Sequence, residues 1–228
     1  VRVGEKSVTA KHILIATGGH PVRPDIPNAG LGLVSNDIFL MEKLPKSVLI
    51  IGGGYIACEF ACILHGLGVE VTQYYRGAQI LRGFDDEARG LLAESMTSRG
   101  IDLHLGTNIV EMAPASEAQD GPQPTASDAA GGVEEVHEEV TPKGPVWVKS
   151  TNGNEKVFDH VIFATGRAPN TDGLGLDAAG VEMGRRGEIT VDEYSKTSAD
   201  HIYAIGDVTN RVQLTPVAIR EGMAFVET

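Results

Sequence analysis

The sequence predicts an α/β, three-layer fold in which one strand-and-helix unit is inserted between two parts of a second. Three observations carry this. Ser47-Val48-Leu49-Ile50-Ile51 is a short apolar run rich in branched residues that flows into Gly52-Gly53-Gly54, as a buried parallel strand enters a tight turn. A helical pattern and a second strand pattern, Val69 to Tyr75, follow it directly. Finally, His12-Ile13-Leu14-Ile15-Ala16-Thr17-Gly18 returns as His160-Val161-Ile162-Phe163-Ala164-Thr165-Gly166, so two strands ending in Ala-Thr-Gly bracket the glycine turn. A chain that leaves one unit, builds another and returns reads this way. The expected boundaries are 1–20 and 166–228 for the outer domain and 21–165 for the inserted one, and the layout is Rossmann-like.

In chain order, Val1 to Ala10 reads as β-rich, and Lys11 to Gly19 as a strand ending in a small-residue turn. Pro21, Pro24 and Pro27 then make an extended crossover, because proline continues neither a helix nor a central strand. The glycine turn has the spacing of a dinucleotide fingerprint. Gly52 allows the sharp turn, Gly53 lies between, Gly54 lets backbone approach a pyrophosphate, and the small Ala57 lets the helix pack on the strand. The helix N-terminus at Tyr55-Ile56 then faces the phosphates with unpaired N–H groups. This helix is expected over Tyr55 to His65, burying Ile56, Phe60, Ile63 and Leu67 and stopped by Gly66 and Gly68.

A second helix is expected over Asp85 to Arg99, with Ala88, Leu91, Leu92 and Met96 on its apolar side and Gly100 after it. Ile101 to Leu105 and Ile109 to Met112 read as short strands. Ala113 to Pro145 breaks the pattern. Seven carboxylates stand there against Lys143, a net −6, with no aromatic residue, so a mobile surface insertion is expected, either a tolerated extension or a partner-binding segment. Val146 to Ser150, a turn at Asn152-Gly153 and Lys156 to Phe158 make a hairpin. Gly187 to Asp192 reads as a strand, and His201 to Val208 as an apolar strand ending in Gly206-Asp207. Asp207 is either a turn residue or a carboxylate set to hold a ribose or ribitol hydroxyl.

Cofactor preference is read just beyond the second strand. An acidic residue about 20 residues past the glycines holds the ribose 2′-hydroxyl in sites that prefer NAD. Tyr75 and Arg76 take that place here, and Arg82 follows. Guanidiniums offer planar, bidentate donors to phosphate oxygens, so the pair suits the 2′-phosphate of NADP unless both are only solvated loop charges.

Ala16-Thr17-Gly18, Gly52 to Phe60, Tyr75-Arg76 with Ile80 to Asp85, Ala164 to Thr171, and Ile202 to Asp207 with Leu214-Thr215-Pro216 resemble the flavoprotein disulfide reductases. The resemblance implies an NADPH-dependent enzyme that passes electrons through FAD to a redox disulfide. Tyr55 leans it toward members acting on glutathione disulfide rather than trypanothione. On the FAD side it implies Asp207 at the ribityl chain, Thr215 near the flavin, and Thr17 and Gly18. On the NADP side it implies Tyr55 as an aromatic lid, Glu59 near the nicotinamide, Arg76 and Arg82 at the 2′-phosphate, and Gly52, Gly53, Gly54, Ile56, Gly166 and Arg167 along the dinucleotide. A homodimer in the cytoplasm, or in an organellar stroma or matrix, follows from the same resemblance.

The sequence departs from that family in lacking a glycine fingerprint for FAD pyrophosphate, a Cys-x4-Cys pair and a C-terminal His-Pro motif. It therefore reads as the middle of a longer enzyme, with no catalytic residue of its own, or as a non-catalytic NADP-binding module. Cys58 and Cys62 lie four apart on the fingerprint helix, where thiols are more often packing residues than a redox pair. Composition agrees with a globular chain: 228 residues, 42% apolar, net charge −12. That charge argues against a nucleic-acid partner, no run approaches a membrane span, and no metal-ligand cluster stands out. Two cysteines make no disulfide framework, which fits a reducing compartment.

Overall fold

The computed structural model describes residues 1–117 and 144–227. They fall into two compact units, one of Val1–His20 with Arg167–Thr228 and one of Pro21–Gly166. The first opens with an antiparallel pair, β1 (Arg2–Val3) and β2 (Lys6–Ser7), followed by β3 (Ile13–Ile15) and β4 (Gly19–Pro21).

The Pro21–Gly166 unit then runs β5 (Leu33–Val34), a single helical turn α1 (Ser35–Ile38), β6 (Ser47–Ile51), α2 (Tyr55–Gly66), β7 (Glu70–Tyr75), α3 (Asp86–Ser98) and β8 (Asp102–Leu105). It continues with β9 (Ile109–Pro114), β10 (Val146–Ser150), β11 (Glu155–Phe158) and β12 (His160–Phe163). A five-stranded parallel sheet, in order β5-β12-β6-β7-β8, forms its centre. Val48 and Ile50 of β6 point to one face, where Ala57, Phe60, Ala61 and Leu64 of α2 and Met96 of α3 cover them. Leu49 and Ile51 point to the other, against Met112, Val146, Val148 and Phe158 of the antiparallel sheet β11-β10-β9. Covering both faces is what a continuous apolar strand requires. The three layers are therefore helices, parallel sheet and antiparallel sheet.

The return to the first unit brings β13 (Arg167–Pro169), β14 (Ile202–Ala204) and α4 (Thr215–Glu227). β14 pairs in parallel with β3, Ile202 opposite Ile13 and Ala204 opposite Ile15, so both strands end at the same edge. Their apolar residues pack with Leu176, Val181, Ile189 and Val208.

Several expectations need correction. On α2, Ile63 and Leu67 are 54% and 58% exposed, and the buried face is Ala57, Cys58, Phe60, Ala61 and Leu64. Close approach to the strand selects small side chains for the inner face, which a count of large apolar residues misses. On α3, Met96 is buried as expected, but Leu91 is 70% exposed. The strand expected from Gly187 to Asp192 is absent as a strand. Its chain folds back on itself, Gly184 N donating to Glu188 O at 2.7 Å, and keeps one bridge between Met183 and Ile189. The acidic stretch also begins later than expected, since Ala113 and Pro114 are part of β9 and Ala115 N donates to Pro145 O at 2.9 Å. The expected mobile insertion otherwise falls on 118–143, outside the described residues.

Candidate functional site

The glycine turn leaves β6 at the centre of the parallel sheet, between β12 and β7, where strand order reverses, the place at which open α/β sheets take their ligands. Gly52 has φ +144, and a Cβ there would overlap the Ala164 backbone of the neighbouring strand end. Its N–H donates to Tyr74 O at 2.9 Å, and its carbonyl accepts from Gln73 Nε2 at 2.9 Å. Gln73 is fully buried, and neither it nor its role is visible in the strand pattern except as the lone amide in an apolar run. Gly53 lies against the Tyr75 ring, while Gly54 has open space where a Cβ would stand. Gly54 caps α2 without any side-chain acceptor, and the first intrahelical bond runs from Cys58 N to Gly54 O at 3.1 Å. The amides of the first turn thus face the open side of the turn, an arrangement that attracts anions.

Beyond β7 the chain makes a loop that comes back to the same turn. Leu81, in the left-handed region at φ +53, donates its N–H to Gly53 O at 2.6 Å. The loop's ends carry Arg76 and Arg82, both exposed, and neither guanidinium has an ion pair or hydrogen bond among the described residues. Arg89 of α3 holds the loop from behind, donating Nε to Ile80 O at 2.7 Å and Nη2 to Gln79 O at 3.2 Å. Its Nη1 pairs with Asp86 at 2.5 Å. Asp85 caps α3 by accepting from Ala88 N at 3.0 Å. Sequence reasoning did not single out Arg89. Its only trace was an arginine three residues after an acid at a helix start.

Tyr55 and Ile56 occupy the first turn of α2, half-buried, and Glu59 is exposed one turn on. Cys58 is buried and Cys62 exposed, one helical turn apart on α2. Burial pushes the Cys58 thiol above its ordinary value, opposite to what a thiolate nucleophile needs.

In the other unit, Thr17-Gly18 follow β3 and Gly206-Asp207 follow β14, bringing these residues to one strand edge. Asn170 ties the first pair down, donating Nδ2 to Thr17 O at 3.0 Å while Thr17 Oγ1 donates to Asn170 O at 2.6 Å. Glu221 of α4 accepts from Gly206 N at 2.7 Å and pairs with Arg211 at 2.9 Å, a carboxylate clamp on the turn that the sequence pattern did not reveal. Asp207 lies 3.8 Å from Arg167, whose Nη2 donates to Gly19 O. Thr215 is the exposed first residue of α4. Gly166 closes the inserted unit, its carbonyl accepting from Val22 N at 3.0 Å, so Gly166 and Arg167 fall in different units. No helix among the described residues is long and apolar enough to cross a membrane.

A glycine turn at the reversal point of a parallel sheet, leading into a helix N-terminus, is the layout of the nucleotide-binding α/β folds. Residues 1–222 match the family described as pyridine nucleotide-disulphide oxidoreductase, and the chain belongs to that family. It is 47% identical over 228 residues to a glutathione reductase of Burkholderia cepacia, covering 100% of this chain and 45% of that protein. A chloroplastic/mitochondrial glutathione reductase of Pisum sativum is 42% identical, with 100% of this chain and 37% of that protein covered. A trypanothione reductase of Leishmania donovani is 41% identical over 220 residues, covering 95% and 39%. Among solved structures, the Cu(II) complex of the HOCl-induced flavoprotein disulfide reductase RclA from Escherichia coli superposes with a TM-score of 0.80 at 25% identity. That match covers 100% of this chain and 46% of that one. The chain spans about half the length, or less, of the curated relatives it matches.

Proposed function

We propose that this chain is the nucleotide-binding portion of an NADPH-dependent flavoprotein disulfide reductase whose substrate is glutathione disulfide. One observation carries the NADPH part: Arg76 and Arg82 stand exposed and unpartnered among the described residues, on a loop hinged by Leu81 to the glycine turn. The residues fit the cofactor. The open side of Gly54 and the amides of the first turn of α2 suit the pyrophosphate, and two free guanidiniums suit a 2′-phosphate. Gly52 and Gly53 shape the turn, Tyr55, Ile56 and Glu59 stand on α2 beside it, and Gly166 ends the neighbouring strand connection.

The cofactor pair supplies hydride and electron transfer when bound. Asp207, at the shared edge of β3 and β14 with Thr17 and Gly18, is suited to accept a hydrogen bond from a flavin ribityl hydroxyl, and Thr215 would lie nearby. Arg167 stands 3.8 Å from that carboxylate and steadies the turn at Gly19. Cys58 is buried with its thiol pushed up, which does not suit it to receive electrons, and the sequence has no Cys-x4-Cys pair. The chain alone should therefore lack disulfide reductase activity. Trypanothione is the second reading of the substrate, supported by the 41% identity to a trypanothione reductase. A homodimer, in the cytoplasm or in an organellar stroma or matrix, is the assembly and setting this likeness suggests.

The test is titration of NADPH and NADH against the wild type and a variant with both Arg76→Ala and Arg82→Ala. A charge-assisted contact to phosphate is worth about 1.5–3 kcal/mol, less where solvent reaches it, so NADPH should weaken by roughly 10- to 100-fold and NADH barely. The loss should shrink at high salt. Equal losses for the two cofactors would overturn the NADPH reading.

A further inference from the structure

We infer that Arg89 is a positioning residue for cofactor discrimination, acting through Arg82 by fixing the loop that presents it; the inference rests on the NADPH reading above. The loop from Gln79 to Arg82 is held from two sides. On the site side, Leu81 N donates to Gly53 O at 2.6 Å, tying the loop to the turn that would cradle the pyrophosphate. On the far side, one guanidinium spans two successive carbonyls, those of Gln79 and Ile80, and is itself braced by Asp86.

The chemistry suits this task. A planar fork reaches two carbonyls at once, which a single ammonium does less well. The Arg89 side chain is only 15% exposed, so these bonds are sheltered from water's competition. Ile80 between the two anchors is fully buried, leaving no slack on its side. Arg82 follows directly after Leu81, whose positive φ is a strained choice for a branched residue and persists only when surroundings impose it. Without Arg89 the segment can relax that angle, and Arg82 then samples many positions. An arginine that must be ordered on binding gives up part of its contact energy to that ordering.

The prediction is therefore selective. Arg89→Met keeps the aliphatic stem and removes the donors. It should raise the NADPH Kd about tenfold, in line with loss of a charge-assisted contact, and the NADH Kd by less than about twofold. Combined with Arg82→Ala it should cost at most about twofold more than Arg82→Ala alone, because both act on one contact. Amide exchange at Leu81 should quicken in the cofactor-free protein, while β6 and β7 stay unchanged. Full additivity in the double variant, or equal losses for both cofactors in Arg89→Met, would overturn the inference while a selective Arg82→Ala effect leaves the NADPH reading standing. A nonselective Arg82→Ala result would overturn both. If Arg89→Met does not fold, Arg89→Lys is read the same way: a selective NADPH loss of about threefold or more is expected from losing one of the two carbonyl bonds, and unchanged discrimination sinks the idea.

Discussion

The ring of Tyr75 lies against Gly53, so close that a Cβ on the glycine would overlap ring carbons. The last side chain of β7 therefore forms the floor of the glycine turn. Gly53→Ala should push the ring aside at a cost of about 1–3 kcal/mol, the usual range for overpacking a dense site. Because the whole turn shifts, NADPH and NADH should weaken together, unlike the arginine variants. Denaturant midpoints and paired titrations check this, and unchanged values in both would contradict it.

Tyr75 also touches Gly77, so its ring fills the space between two glycines. Replacing it with glutamate would supply a carboxylate for a free ribose hydroxyl and repel a 2′-phosphate. The same change empties the floor of the turn. In a chain already lacking Arg76 and Arg82, Tyr75→Glu should raise NADH affinity while lowering the denaturant midpoint. A gain in NADH binding with no loss of stability would show that the ring is not structural.

Cys58 and Cys62 should respond differently to an alkylating reagent. Cys62 is exposed and should label in the native state, while Cys58 should label only on unfolding. The folded Cys58 thiol is raised, mainly by burial, so the folded state holds its proton where the unfolded chain has lost it. Its contribution to stability is full below the ordinary thiol value and is lost as the pH climbs through the folded one. Tyr74, raised chiefly by burial, acts in the same direction. Unfolding midpoints at neutral and alkaline pH should fall less in Cys58→Val than in the wild type; identical declines would remove Cys58 from the account.

Asp159 joins the end of the hairpin to the start of β6. Its Oδ2 accepts from Lys46 N at 2.7 Å and Ser47 N at 3.1 Å, and its own N–H donates to Ser47 Oγ at 3.1 Å. Asp159→Ala removes the acceptor of two backbone donors at the entrance to the central strand, one exposed and one half-buried, and should cost about 0.5–1.5 kcal/mol. Asp159→Asn, which keeps an acceptor, should cost less. Equal unfolding midpoints for both variants would indicate that charge, not hydrogen bonding, matters there.

The central strands were legible because both of their faces are buried, which writes an uninterrupted apolar run at Ser47–Ile51 and another at His160–Phe163. The glycine turn was legible for a local reason, since its glycines act within a few residues of themselves, and the start of α3 was legible to within a residue. What stayed hidden was long-range. The inner face of α2 is set by how closely Ala57 and Ala61 approach β6, and Ile63 and Leu67, though apolar, fall outside it. Gln73, Arg89 and Glu221 are polar residues whose partners are main-chain groups elsewhere, and spacing along the chain carries no mark of such pairs. Arg76 and Arg82 were legible as a pair, but the hinge that brings their loop back to Gly53 was not.

The strands β9 and β10 are stitched together up to their last residues, Val146 opposite Pro114, with one more bond from Ala115 to Pro145 beyond them. The two ends of the intervening segment are thus held at a fixed, short separation by the sheet itself. A flexible linker inserted at this seam would have a closure cost that grows only with the logarithm of its length, about 0.6 kcal/mol per doubling. These strands cover the face of the parallel sheet opposite α2, whose N-terminus adjoins the glycine turn. A reporter peptide or fluorescent label joined at this seam through flexible linkers should therefore be carried as cargo, its ends already brought together by the sheet.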